Sequence, residues 1–232
     1  MPLPLLLFDC DGTLVDSEPL LAEEMSTGLN SVGLPFVPSD YLGEFRGSRF
    51  RNIVAQLQAR HGDVSNEQLN SMETTMRANL AKRLAQELTT IPGAKEALQQ
   101  LSAYPSAVVS NGPEEKIRTA LKATGLDSYF AERLFSGYTA HCWKPEPCLH
   151  LHAASIMGYS AAHCIAIDDA LVGVRAALEA GMKVIHLNRF PDAETTPENA
   201  IMISNMFQLP AVIRQLSQEV SPAAEPYYSE GK

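Results

Sequence analysis

The chain has 232 residues, 45% hydrophobic and 19% charged, values of a globular protein that exclude a disordered or fibrous chain. A net charge of −9 and a pI near 5.1 give no electrostatic reason to approach nucleic acid or an anionic membrane, so an anionic ligand must be met by local cations. No stretch approaches the roughly 20 uninterrupted apolar residues of a membrane-spanning helix, and the length suits one large domain or one domain with an insertion.

The apolar run at 3–8 reads as a strand covered on both faces of a parallel sheet; it lacks a basic leader and enters Asp9-Cys10-Asp11-Gly12 directly, so it is not read as a signal segment. Over 17–90 the periodicity is helical, with no buried strand. Four helices are predicted near 18–31, 39–44, 48–60 and 66–89, separated by Val32-Gly33-Leu34-Pro35, Phe45-Arg46-Gly47 and His61-Gly62-Asp63. Pro92-Gly93 opens a helix at 94–101, Pro113 stands at the first turn of one at 114–123, and Gly125 and Gly181 sit where C-terminal caps belong. Further short apolar runs at 107–110, 164–168 and 184–187, with Leu134-Phe135-Ser136 between them, alternate with these helices. That alternation predicts an α/β fold with a parallel, Rossmann-like sheet. The expected organisation is a core of 1–16 plus 91–220, a helical insertion at 17–90, and a mobile tail at 221–232.

In an open parallel sheet, ligands bind beyond the C-terminal ends of the strands. Four such ends carry polar residues: Asp9 and Asp11, Ser110 and Asn111, Lys144 after Leu134-Phe135-Ser136, and Asp168 with Asp169. Carboxylates converging there repel one another unless a cation neutralises them, and oxygen donors without a Cys/His cluster favour Mg²⁺. Ser110, the backbone amides after Asp9 and Asp11, and the Lys144 ammonium are donors suited to phosphoryl oxygens. The histidines offer no ligand pattern. Cys10, Cys142, Cys148 and Cys164 form neither a disulfide scaffold nor a C-x-x-C pair and are expected to be reduced thiols in a cytoplasm. Each short motif has a bland alternative when taken alone: Asp-x-Asp-Gly as a solvated turn, Ser110-Asn111-Gly112 and Asp168-Asp169 as helix caps, Lys144 as a surface charge.

Together, Asp9-Cys10-Asp11-Gly12-Thr13-Leu14-Val15-Asp16-Ser17, Ser110-Asn111-Gly112, Lys144-Pro145 and Asp168-Asp169 with Gly173 resemble, in order and spacing, the four motifs of the haloacid dehalogenase-like superfamily. The resemblance implies a phosphohydrolase in which Asp9 is the nucleophile and Asp11 the general acid and base. It also implies that Mg²⁺ is held by Asp9, the Asp11 carbonyl, Asp169 and, through water, Asp168, with Lys144 bridging Asp9 and the phosphoryl group. Ala170 stands where the family usually has Ser, which removes a side-chain hydrogen bond beside the paired acids. The insertion matches the helical cap of the family's first cap class, subfamily I. Arg46 and Arg49 around Gly47, with Asn111, Gly112 and Lys116, are the expected substrate contacts, although the three cations are as readily surface charges. Ser110–Lys116, Ser136-Gly137-Tyr138 and Trp143-Lys144-Pro145 are similar to bacterial 6-phosphogluconate phosphatases. The resemblance thus implies a small phosphorylated metabolite as substrate; charge, apolar run length and cysteine usage predict no nucleic acid or membrane partner and a cytoplasmic location, and a monomer or weak dimer is expected. A phosphoglucomutase-type isomerase on the same scaffold is the alternative.

Overall fold

In a computed structural model of the chain, which describes residues 3–46, 48–192 and 194–219, the apolar runs form one sheet. Strands β1 (Leu5–Phe8), β2 (Ser106–Ser110), β3 (Leu134–Ser136), β4 (Cys164–Asp168), β5 (Lys183–Leu187) and β6 (Ala200–Ile203) lie in the order β3-β2-β1-β4-β5-β6, and every neighbouring pair is parallel. This is the expected α/β, Rossmann-like fold. Strand β6 was not predicted; its run is short, and Ile201 and Met202 are exposed at the sheet edge. Gly47, the tail at 221–232 and its predicted mobility lie outside the described residues.

Between β1 and β2 come α1 (Glu18–Ser31), α2 (Pro38–Asp40), α3 (Phe50–His61) and α4 (Asn66–Glu87). The predicted helix at 39–44 is instead the three-residue α2 running into a π-helical turn, Tyr41–Phe45. That wider winding buries both Tyr41 and Phe45. These helices enclose a core of their own, with Met25, Leu29, Phe36, Ile53, Leu57, Met72 and Met76 among its members. The chain enters and leaves this helical segment side by side: Val15 pairs with Thr90 in an antiparallel bridge, Asp16 N–H donates to Thr89 O (2.9 Å), and Ile91 N–H donates to Leu14 O (3.0 Å).

The remaining helices are α5 (Ala94–Gln100), α6 (Glu114–Thr124), α7 (Asp127–Phe130), α8 (Gly137–Ala140), α9 (Cys148–Ile156), α10 (Leu171–Glu179) and α11 (Leu209–Glu219). Alternation along β1 divides the core. Leu6 and Phe8 face Leu98, Ile117, Leu121, Phe130 and Ile213 on one side, while Leu5 and Leu7 face Leu149, Ala153 and Val174 on the other. A strand buried on both faces has no polar position to spare, which is why it reads as a continuous apolar run.

One expectation is corrected. Cys142 and Cys148 are joined in a disulfide with their Cα atoms 6.1 Å apart, while Cys10 and Cys164 are free and buried. The spacing is no C-x-x-C, but the loop between them, with Pro145 and Pro147, turns back and brings the two Cα atoms within bonding range.

Candidate active site

The strand order changes direction between β1 and β4, where a parallel sheet opens its ligand crevice beyond the carboxyl ends. Phe8 is in register with Ile167 and with Val108, so the residues that follow emerge together: Asp9 and Asp11 from β1, Ser110 from β2, Asp168 and Asp169 from β4. After Asp9 the chain turns at once, with Leu14 and Val15 N–H donating to Cys10 O (2.9 and 3.0 Å) and Gly12 N–H to Val15 O (2.8 Å). Gly12 holds φ +85°, and a Cβ there would overlap the Asp169 carboxylate, so both backbone and space require glycine.

Lys144 is 4% exposed, and its ammonium lies 2.6 Å from Asp9 Oδ1 and 2.6 Å from Asp168 Oδ2. Its backbone is clasped by Asn111, whose side chain accepts from Lys144 N–H (2.8 Å) and donates to Lys144 O (3.1 Å). Ser110 is buried at the cleft floor and accepts from Gly112 N–H (3.1 Å). Lys116 donates to Asp11 Oδ1 (2.8 Å), as does the Ser17 hydroxyl. Asp168 accepts from Ala170 N–H (2.9 Å), and Asp169 accepts from the Thr13 hydroxyl (2.9 Å), a side-chain hydrogen bond that Ala170 itself cannot supply.

The charge balance of the acids differs from one to the next. Burial pushes Asp9 well above the usual carboxylate range; Lys144 opposes the rise, and Asp168, Asp169 and Asp11 add to it. Burial and Glu18 push Asp169 up to about 7 against the pull of Arg46. For Asp11 burial is outweighed by Lys116 and Ser17, which hold it below its ordinary value. Oxygens of Asp9, Asp168 and Asp169 lie within 4.8 Å of one another. An oxygen-only set of acids whose own field disfavours ionisation fits a hard divalent cation.

The sequence-selected residues do not all reach the same place. Asp9, Asp11, Ser110, Asn111, Gly112, Lys116, Lys144 and Asp168 line one cleft with Arg49, while Asp169 lies just behind it. Arg46 is not among the residues lining the cleft and lies against the acid behind it. It pairs with Asp169, Glu18 (3.1 Å) and Glu194 (3.2 Å) and donates to Asp169 O (3.0 Å). Sequence reasoning gave no role to Thr13, Ser17, Glu18 or Arg189. Arg189 binds Glu18 (2.9 Å), and that pair joins residues 171 positions apart, a link no local pattern reveals. Ser17 could have been found, since it closes the first motif.

The outer wall of the cleft comes from α1, α3 and α4: Leu21, Met25, Ile53, Met76 and Leu80.

Over 181 residues the chain is 35% identical to a protein of Escherichia coli (strain K12) named 6-phosphogluconate phosphatase, covering 78% of this chain and 80% of that one. A solved haloacid dehalogenase-like protein of unknown function from Agrobacterium tumefaciens str. C58 is 31% identical, with a TM-score of 0.75, covering 93% of this chain and 99% of that one. A family hydrolase from Deinococcus radiodurans R1, solved with bound phosphate and sodium, is 27% identical with a TM-score of 0.70, covering 96% of this chain and 99% of that one. Residues 6–187 match the haloacid dehalogenase-like hydrolase family, and the chain belongs to it.

Proposed function

We propose that the chain is a phosphatase that moves the phosphoryl group of a small phosphorylated metabolite, a sugar or sugar-acid phosphate, first to Asp9 and then to water. The observation that carries this reading is the position of Asp9: an acid at the floor of a small-molecule cleft, held at 2.6 Å by a buried ammonium, with Asp11 two residues on. The names of the phosphatase relatives support the substrate class.

Asp9 Oδ attacks phosphorus in line with the leaving oxygen, and Lys144 steadies the attacking carboxylate while drawing charge from the phosphoryl oxygens. Ser110 and the backbone amides of the 9–12 turn donate to those oxygens. Asp11 protonates the leaving alkoxide and then takes a proton from the water that attacks the aspartyl-phosphate, returning Asp9 as a free carboxylate. Lys116 and Ser17 hold Asp11 as the carboxylate, the form the second step uses. An anionic substrate that draws Lys116 away leaves Asp11 better able to carry the proton of the first step. Asp9, the Asp11 carbonyl, Asp168 and Asp169 would hold Mg²⁺, which would neutralise charge on the phosphoryl group. Helices α1–α4, joined to the core by the paired crossing at Val15 and Thr90, act as a cap that excludes water.

Asp9→Asn tests the reading. Phosphate release from phosphorylated metabolites is expected to be lost with circular dichroism and ligand binding preserved, and retained release rejects the nucleophile. Free phosphate also separates this reading from an isomerase, which returns the phosphoryl group to its substrate.

A further inference from the structure

Lys144 acts from a loop. It lies between α8 and α9, in neither a strand nor a helix, yet its ammonium sits 2.6 Å from both Asp9 Oδ1 and Asp168 Oδ2. Around it the backbone is held by the Asn111 clasp on Lys144, by Glu146 N–H donating to Trp143 O (3.0 Å), and by Cys142 N–H donating to Gly137 O (3.1 Å).

A covalent bond closes the same loop. The Cys142–Cys148 disulfide makes a ring that contains Trp143, Lys144, Pro145, Glu146 and Pro147. Cys148 opens α9, whose Leu149 and Ala153 are buried against the sheet, so the bond ties the loop to a fixed helix. A ring this small removes most of the open conformations the loop would otherwise reach. The bond also meets solvent. Cys148 is exposed and Cys142 half-buried, whereas Cys10 and Cys164 are sealed in the core. Thiol–disulfide exchange requires that a thiolate reach one of the two sulfurs, and Cys148 is where it can do so.

From this placement we propose that Cys142–Cys148 is a thiol–disulfide exchange site, and that its covalent state sets how firmly Lys144 is held against Asp9. The reductant is a small dithiol. One of its thiolates attacks Cys148 Sγ, the Cys142–Cys148 bond breaks, and Cys142 leaves as a thiolate that takes up a proton. The second thiol of the reductant then displaces Cys148, which is protonated in turn. The protein gains two electrons and two protons, and the dithiol becomes its own disulfide. With the ring open, the loop regains its local freedom and the Lys144 ammonium leaves Asp9 for part of the time. A weaker grip on a phosphate follows, a consequence that rests on the phosphatase reading above.

The full chain tests this in both covalent states. Dithiothreitol added to the folded protein is expected to expose two thiols to iodoacetamide, mapped to Cys142 and Cys148 by peptide mass, with Cys10 and Cys164 unlabelled. A pair that stays closed until the protein unfolds overturns the exchange site. Hydrogen exchange reads the loop without any ligand. The Lys144 amide, bonded to Asn111 (2.8 Å), is expected to exchange about tenfold faster after reduction, with the β1 amides unchanged, and to regain its protection on reoxidation with oxidised glutathione. Equal protection in the two states overturns the control of Lys144.

Phosphate binding is read separately, because Trp143, inside the ring, is the chain's single tryptophan. With Mg²⁺ present, the Kd for inorganic phosphate, followed by its emission, is expected to rise about tenfold on reduction. Cys142→Ser/Cys148→Ser is expected to show the higher Kd and to ignore both reagents. The same Kd in both states, or a double variant that still responds to reductant, overturns the inference. Phosphate that binds neither state counts against the phosphatase, and the exchange rate at Lys144 still decides the switch.

Discussion

Lys144 joins structure to chemistry in a single side chain. Its ammonium is almost wholly buried between Asp9 and Asp168, and burial, which alone would lower its pKa, is overridden by those two carboxylates, so it stays charged. Removing one partner of a buried ion pair leaves the other uncompensated. Lys144→Met is therefore expected to lower stability by about 3 to 5 kcal/mol in metal-free buffer, read by urea denaturation, and to abolish phosphate release. A loss below about 1 kcal/mol would show that the acids are satisfied without it. The motif acids were legible in the sequence because each ends an apolar strand. Thr13, Glu18 and Arg189 were not, because what gives them a place is a partner far along the chain. The ion pairs of Arg46 were not legible either, because its partners, Glu18, Asp169 and Glu194, come from three separate stretches.

At the scale of elements, the strand–loop–helix units place the acids and the glycines let them approach. On the first turn of α10, a Cβ at Gly173 would overlap the Asp168 carboxylate. Gly173→Ala is thus expected to cost about 1 to 3 kcal/mol of stability through overpacking, despite the better helix propensity of alanine, with weaker Mg²⁺ binding in calorimetry. Unchanged stability would mean that Asp168 has room to move. The core strands were readable because burial on both faces leaves a continuous apolar run. Strand β6 escaped because an edge strand is half exposed, and the π-helical turn at Tyr41–Phe45 escaped because its winding answers to where two aromatic rings must go rather than to local propensity. The disulfide escaped for a related reason: six residues of separation say nothing until the loop between them is folded back.

For the whole molecule, the proposal is that two layers share one site, a sheet that supplies the reacting groups and a set of helices that closes over them. Acids gathered from both β1 and β4 make the cation a tie between distant stretches of chain. Mg²⁺ at 100 times its Kd is expected to stabilise the protein by about 2.7 kcal/mol, or roughly 5 to 10 °C in Tm for a chain of this size, reversed by EDTA. No shift at saturating Mg²⁺ would disconnect the acids from the metal. The account depends most on Asp9 becoming phosphorylated, and the stereochemistry at phosphorus reads that directly. With a phosphorothioate substrate made chiral by ¹⁶O and ¹⁸O and hydrolysed in H₂¹⁷O to chiral inorganic thiophosphate, hydrolysis through an acyl-phosphate on Asp9 takes two in-line displacements, so net retention of configuration is expected. Inversion, the mark of direct attack by water, would contradict it.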